Sequence, residues 1–322
     1  MCLYPILIKN PRYKSTKKNG GKIPECKDER TKFVPIGCGN CIECRRQKAN
    51  GWRVRLIQEI KTNPQCYFVT LTFNNEAIDE IAAKWNVQES NALATIAVRK
   101  FLERVRKDTK KSVKHWLITE LGGENERIHL HGFIWSDNIK KIMEKWNYGF
   151  YYVGEYCNDK TINYCVKYVM KIDEKHKNFK PVILCSKGIG GDVNLQRCKF
   201  NGDKTNENFR LPNGRITALP IYYRNKVYDE KERQILWTQR LDKEERFVLG
   251  TRISIKDGDE EYYRQLKGAQ EFNKRLGFGD NSDEWKKEPY NVKFTDLQRI
   301  TRIKKEEERR KKVRESVKVM LK

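Results

Sequence analysis

The stretch RIHLHGFIW, residues 127–135, holds two of the four histidines in the chain. Side chains alternate along a strand, so His129, His131, Phe133 and Trp135 take one face and Ile128, Leu130, Gly132 and Ile134 the other. The aliphatic face has a core role. Paired imidazoles on one strand face either hold a divalent ion or are two satisfied histidines of core or surface. A third ligand bears on the choice. If WLITEL pairs with RIHLH across the polar turn GGENER, an in-register hairpin sets Glu120 opposite His129 and Ile118 opposite His131. A carboxylate and two imidazoles then converge on one sheet face. Such an oxygen–nitrogen set with open positions suits Mg²⁺ or Mn²⁺, although zinc would also bind it.

A second constellation is INYCVKYVMKI, residues 162–172. On a helix, at about 100° per residue, Lys167, Tyr168 and Lys171 fall near Tyr164 while Cys165, Val166, Val169, Met170 and Ile172 cover the opposite arc. Tyrosine often serves as a boundary residue of an amphipathic helix. Here a complete apolar arc exists without the two tyrosines. Two phenols one turn apart beside two ammonium groups form an apparatus for attacking a phosphodiester. A tyrosine oxygen is the nucleophile, and Lys167 and Lys171 hold phosphate and favour phenolate. One turn of spacing lets Tyr164 and Tyr168 each reach the same phosphate, which predicts that either can begin the reaction.

No apolar run spans a membrane and MCLYPILIKNPRYK lacks the order of a signal peptide, which predicts the cytosol, so the ten cysteines are read for a reducing compartment, where metal binding or plain packing is expected before disulfides. Three of them form CGNCIEC, with Cys38, Cys41 and Cys44 at C-x-x-C-x-x-C spacing. A structural Zn²⁺ needs a fourth ligand, which Cys2 or Cys26 can supply; buried free thiols are the other reading. An iron–sulfur cluster fits less well, since no further cysteine follows at the spacing such clusters use.

The elements that must position these groups follow from periodicity. CYFVTLTF, KHWLITEL, RIHLHGFIW and GFYYVGEY read as strands; ALATIAVRKFLERVRKD, DNIKKIMEKW and KTINYCVKYVMKI read as helices. The order β-α-β-β-α-β-α predicts an α+β fold: an antiparallel sheet of about five strands, the histidine strand central, helices on one face and the tyrosine helix packed across it. A basic helix, ECRRQKANGWRVRLIQEIK, precedes the sheet. Charged helices are expected around 229–247, 258–275 and 295–322, the last beginning at a Thr295–Gln298 capping box. Three regions result: a basic Cys-rich 1–65, a sheet domain 66–180, and a basic loop-and-helix region 181–322. There is no repeat of solenoid period.

The balance of 67 Lys+Arg against 43 Asp+Glu leaves a formal charge of +24, which favours a polyanionic partner, nucleic acid before an anionic membrane. Fifteen Tyr, thirteen Phe and seven Trp supply surfaces on which unpaired bases can stack. No apolar run nears the ~20 residues of a membrane span, so no membrane association is expected. No G-x-x-x-x-G-K-[ST] occurs, so the chain carries no P-loop helicase and must borrow unwinding.

YFVTLTF, HLHGFIW and YCVKYVMK, in that order, resemble the three motifs of the rolling-circle replication initiators known as HUH endonucleases. Together with MCLYP, IGCGNCIEC and ITELGGENERIHLH, they are similar to the replication initiators of small single-stranded DNA phages, the microviruses of gokushovirus type, over roughly residues 1–190. The resemblance implies a metal on His129 and His131, with Glu120 where related initiators carry an acidic residue in a GEYG-like stretch; this chain has TELGG there. It implies nucleophile roles for Tyr164 and Tyr168 and nicking of single-stranded or extruded origin DNA. A 5′-phosphotyrosine intermediate and rejoining of the displaced strand into a circle would follow, with a host helicase and polymerase as partners in the bacterial cytoplasm. Transposases and relaxases with the same chemistry, and a non-catalytic DNA-binding or packaging protein, remain open alternatives.

Overall fold

In the computed structural model, residues 1–122, 126–173, 175–176, 179–191, 207–211 and 213–285, with Arg309 and Lys311, are described. The chain opens with a two-stranded antiparallel ladder, β1 (Ile6–Lys9) on β2 (Phe33–Ile36), and enters α1 (Ile42–Thr62). There follow β3 (Cys66–Leu71), α2 (Asn75–Trp85), α3 (Ser90–Thr109), β4 (Lys114–Leu121), β5 (Ile128–Trp135), α4 (Ile139–Met143), β6 (Tyr151–Gly154), α5 (Asp159–Met170) and β7 (Ile183–Cys185). The remainder comprises β8 (Asn208–Arg210), β9 (Ile216–Ala218), α6 (Ile221–Val227), α7 (Glu230–Asp242), β10 (Glu245–Val248), β11 (Thr251–Ser254) and α8 (Glu260–Arg275).

The protein is α+β, and its main sheet has five antiparallel strands in the order β6-β3-β5-β4-β7. The histidine strand β5 is central, as its near-continuous burial requires. Its pairing with β4 has the register read from the hairpin: Ile118 opposes His131 and Glu120 opposes His129. Helices cover both faces of this sheet, not one. Val69, Leu71, Leu117, Leu130 and Ile134 pack with α2, α3 and α4, while Trp116, Ile118, Phe133 and Trp135 pack with α1, α5, α6 and α7. The reason lies in the strands: Trp116, Phe133 and Trp135 make the histidine face as apolar as the other at one end, so it too must be covered. The helix α2 has no counterpart among the expected elements; its Asn74 side chain caps Ala77 N–H at the start. The helix expected at 295–322 lies, apart from Arg309 and Lys311, outside the described residues.

Gly132 shows how tightly the central pair is built. A Cβ there would lie 2.0 Å from the Trp116 carbonyl oxygen and 2.8 Å from Leu117 Cα, so the β4 backbone occupies the place of a side chain. Gly132→Ala is therefore expected to destabilise the fold by about 3 kcal/mol or more, because backbone cannot yield as a flexible side chain does. Denaturant unfolding of the two proteins measures this, and a difference under about 1 kcal/mol would contradict the close approach.

Candidate active site and metal centre

The polar end of the histidine face is built by three adjacent strands and one helix. Thr70 on β3 opposes His131 on β5, which opposes Ile118 on β4, with Glu120 two residues further along β4. His131 is 8% exposed. Its Nε2 lies 2.9 Å from Glu120 Oε2 and its Nδ1 3.0 Å from Thr70 Oγ1. Beside an ionised Glu120, Nε2–H donates to the carboxylate and Nδ1 accepts from the threonine hydroxyl. That hydroxyl can also accept, so the same geometry serves the tautomer whose Nε2 lone pair faces a cation. Burial works against the Glu120 charge, but hydrogen bonds from His131 and Lys171 outweigh it and hold the carboxyl below its ordinary range.

The helix α5 starts at a capping box, where the Asn158 side chain accepts from Lys160 and Thr161 N–H groups. It buries Ile162, Cys165, Val166 and Val169 as the wheel predicts. The tyrosines, however, are unequal. Tyr168 is 4% exposed and stacks on His131 with ring centroids 4.8 Å apart and planes 9° apart; Tyr164 is 40% exposed and meets His131 edge-on at 5.8 Å. The Tyr168 hydroxyl donates to the Tyr164 oxygen at 2.6 Å. Burial, then the hydrogen bond with Tyr164 and the Glu120 charge, pushes the Tyr168 hydroxyl far above the ordinary phenol range, so it stays a donor. Lys167 is exposed, with Nζ 4.0 Å from the Tyr164 ring centre and 5.1 Å from that of Tyr168. Tyr164 thus combines access to solvent, an accepted hydrogen bond and a neighbouring cation.

Lys171 is not on the tyrosine helix. The helix closes at Met170, and Lys171 turns to extended backbone (φ −58°, ψ 132°) with its Nζ ion-paired to Glu120 Oε1. A shallow cleft lined by Glu120, Tyr168, Lys171, Asp173, Phe179 and Pro181 lies at this point. His129 stands apart. It directs Nδ1 to the Arg127 carbonyl at 2.8 Å, and Glu120, His129 and His131 do not bring three ligand atoms within 4.8 Å of one another. The donor set nevertheless fits a divalent ion. Both histidines have Nδ1 held by an oxygen, which is how ligand imidazoles are oriented, and an ionised carboxylate lies beside His131.

The other metal-binding geometry is the cysteine cluster. Sγ atoms of Cys2, Cys38, Cys41 and Cys44 all lie within 4.8 Å of one another, with Cys2–Cys41 at 3.9 Å and Cys38–Cys44 at 4.0 Å. Four thiolates around one Zn²⁺ at about 2.3 Å have sulfurs about 3.8 Å apart, so this quartet could hold a structural zinc. Cys2 supplies the fourth sulfur; Cys26 lies elsewhere, bonded to the Asp28 carbonyl. The sequence makes the loop. Gly39 takes φ +78°, allowing the Asn40 and Cys41 N–H groups to turn toward Cys38 Sγ at 3.4 and 3.3 Å, and Cys38 N–H donates to Cys2 Sγ at 3.3 Å. Cys41 caps α1, whose N-terminal dipole favours anionic sulfur. Hydrogen bonds among the four, those of Cys2 foremost, draw Cys38 down to about 7 and Cys41 lower still, while pushing Cys44 up.

Four contributors were missed from sequence: Thr70, Phe68, Tyr152 and Arg45. The first two had a signal, since alternation in YFVTLTF puts Phe68 and Thr70 on one face. Phe68 stacks on His131 and meets Tyr164 edge-on at 5.8 Å, and Tyr152 on the edge strand β6 meets Phe68 at 6.4 Å. Phe150, Tyr152 and Tyr156 are 72%, 53% and 71% exposed, so aromatic surface runs outward from the tyrosines.

A family model described as replication-associated protein, of the ORF2 type, matches residues 66–173, roughly a third of the chain. The matched segment runs from β3 through α5 and contains Thr70, Glu120, both histidines of β5, both tyrosines, Lys167 and Lys171. The match supports a role as a replication initiator, a protein of DNA replication. No curated protein matches the chain, and no solved structure matches it. Among the described residues no helix is long and apolar enough to cross a membrane.

Proposed function

We propose that the protein is an HUH endonuclease of the rolling-circle type, which nicks single-stranded or extruded origin DNA and rejoins the displaced strand. The observation that carries this is the Tyr168–Tyr164 hydroxyl pair stacked against His131, itself bonded to Glu120. A nucleophile, a lysine and a carboxylate–imidazole pair on one sheet face suit phosphodiester transfer better than simple binding.

Glu120 and His131, with His129 turned toward them, would hold a Mg²⁺ or Mn²⁺, which when bound would polarise the scissile phosphate. The Tyr164 oxygen attacks phosphorus and the P–O3′ bond breaks, leaving a 5′-phosphotyrosyl link; the phenolic proton passes to water, and the departing 3′-oxygen takes a proton from water to become the 3′-OH. Lys167 steadies the phenolate and the phosphate, and Lys171 keeps Glu120 ionised. The phosphotyrosyl bond conserves the energy of the cleaved bond: Tyr168 attacks the regenerated origin, and the 3′-OH freed there attacks the Tyr164 phosphotyrosyl phosphorus, releases the tyrosine and closes the circle without ATP. With +24 net charge, backbone contacts hold the DNA in a salt-dependent way. As a phage initiator of microvirus type, the protein would act in the bacterial cytoplasm with host helicase and polymerase. Labelled single-stranded DNA incubated with the protein and Mn²⁺ tests the reading: an adduct that survives denaturant supports it, and salt-sensitive binding without an adduct rejects it.

The exposed aromatics beside the site provide stacking surface for bases next to the cut. Tyr152→Ala is expected to weaken single-stranded DNA binding about tenfold, the worth of one stacked base at ~1–3 kcal/mol, with cleavage at saturating DNA little changed. Fluorescence anisotropy reads this; a loss below twofold would exclude a stacking role.

A further inference from the structure

We infer that Arg45 is a positioning residue that ties the cysteine metal site to the tyrosine helix, so that metal on Cys2, Cys38, Cys41 and Cys44 is a condition of ordered cleavage chemistry as well as of local folding. The inference deepens the endonuclease reading and rests on it for its activity readout.

Arg45 follows Cys44 directly and is 6% exposed. Its Nη1 donates to the Lys171 carbonyl at 2.7 Å, across 126 positions of sequence. A guanidinium at that place satisfies an end carbonyl of α5 and complements the negative end of the helix dipole. No carboxylate pairs with Arg45 among the described residues, and its backbone N–H donates to the Cys41 carbonyl at 3.0 Å, which ties it to the cysteine turn. A buried cation needs a compensating anion. Zn²⁺ on the four sulfurs would fix the Cys38–Cys44 turn from which Arg45 extends, and four thiolates around it would add a formal −2 one residue away. A second contact joins the same elements: Met170, the last residue of α5, packs into the apolar cluster that holds Cys2, Cys38, Cys41 and Cys44 with Leu3, Ile42 and residues of β10, β11 and α8.

From Lys171 the path to the site is short. Its backbone is held by Arg45 and its Nζ by Glu120, which bonds His131, on which Tyr168 stacks. Loss of the metal frees the Cys38–Cys44 turn that holds Arg45 in place. The guanidinium then withdraws toward water, the Lys171 carbonyl is released, and the end of α5 frays beside Glu120. The bond at this junction is expected to be kept with the metal bound and lost when it is removed.

The test uses the full-length chain in four states: wild type and Arg45→Gln, each zinc-loaded and zinc-stripped, with excess Mn²⁺ restored after chelation. Zinc content is measured by elemental analysis, the end of α5 by hydrogen exchange of the Lys171 amide, which donates to the Lys167 carbonyl at 2.9 Å, and cleavage by adduct formation against Mn²⁺ concentration. Stripping wild type is expected to speed Lys171 exchange about tenfold or more and to raise the Mn²⁺ needed for half-maximal adduct. Zinc-loaded Arg45→Gln should retain one zinc per chain yet resemble stripped wild type in both readouts, and stripping it should add little, the signature of two changes on one path. Arg45→Lys, which keeps a charge and a donor, should recover part of the effect. Unchanged exchange and Mn²⁺ dependence on stripping wild type would overturn the coupling, as would full additivity of the two changes. Protein purified under reducing conditions that takes up no zinc would overturn it too. If zinc-loaded wild type forms no adduct while Lys171 exchange still responds to zinc, the coupling stands and the endonuclease reading alone fails.

Discussion

Tyr164→Phe/Tyr168→Phe is expected to form no covalent adduct with single-stranded origin DNA, and the two single variants are expected to differ. Tyr164→Phe should slow the first nick by about 10³-fold or more, because it removes the only phenol of the pair that is open to DNA. Tyr168→Phe should slow it about tenfold, the worth of one hydrogen bond to a charged oxygen at ~1.5–3 kcal/mol, while release of a closed circle is lost. The helical spacing alone predicts equal partners. The packing breaks that equality, since Tyr168 lies flat on His131 and donates to Tyr164. Single-turnover trapping followed by mass spectrometry of the peptide around NYCVK decides the order. Nucleotide found on Tyr168 in the first turnover of wild type would reverse it, and adduct formed by the double variant would remove both tyrosines from the chemistry.

Local pattern carried much of this site, and contacts between distant segments carried the rest. The β4–β5 register followed from a hairpin around a polar turn, so the opposition of Glu120 and His129 was legible. That Glu120 turns diagonally to His131 was not, because strand twist and the side-chain rotamers decide which diagonal neighbour is met. The helical wheel of α5 separates apolar from polar residues correctly, yet places Tyr168 in water. A polar arc is solvent-exposed only where its neighbour is solvent, and here its neighbour is the polar end of the sheet around His131. Lys171 reads as helical because its residue type is a good helix former; the helix in fact ends one residue earlier, and Arg45 takes the carbonyl of Lys171 itself. Cys38, Cys41 and Cys44 announce a metal site by spacing, but the choice of Cys2 over Cys26 depends on how β1 and β2 return the N-terminus to α1. Arg45 has no local signal, since its partner Lys171 lies just past the end of another helix and its charge reads in sequence as one more basic surface residue.

His129→Ala/His131→Ala is expected to reduce adduct formation by about 10³-fold or more while leaving DNA affinity within a few-fold. The first part follows from loss of a divalent ion that would be worth on the order of 4 kcal/mol in stabilising charge at phosphorus. The second follows because affinity in a chain of +24 charge rests on dispersed lysine and arginine contacts to phosphate, none of which this pair makes. The single variants separate two roles. His131→Ala also removes the surface on which Tyr168 stacks and the partner of Thr70, so it should disturb tyrosine placement as well as metal affinity. His129→Ala touches only the half-exposed imidazole anchored by the Arg127 carbonyl, so its defect should be recoverable by raising Mn²⁺. Titration of adduct yield against Mn²⁺ for the two proteins gives the answer: a shift in half-saturation for His129→Ala and a lowered ceiling for His131→Ala. Normal cleavage by the double variant in Mg²⁺ would mean that the metal, if any, is held elsewhere and that neither imidazole takes part in the chemistry at the tyrosines.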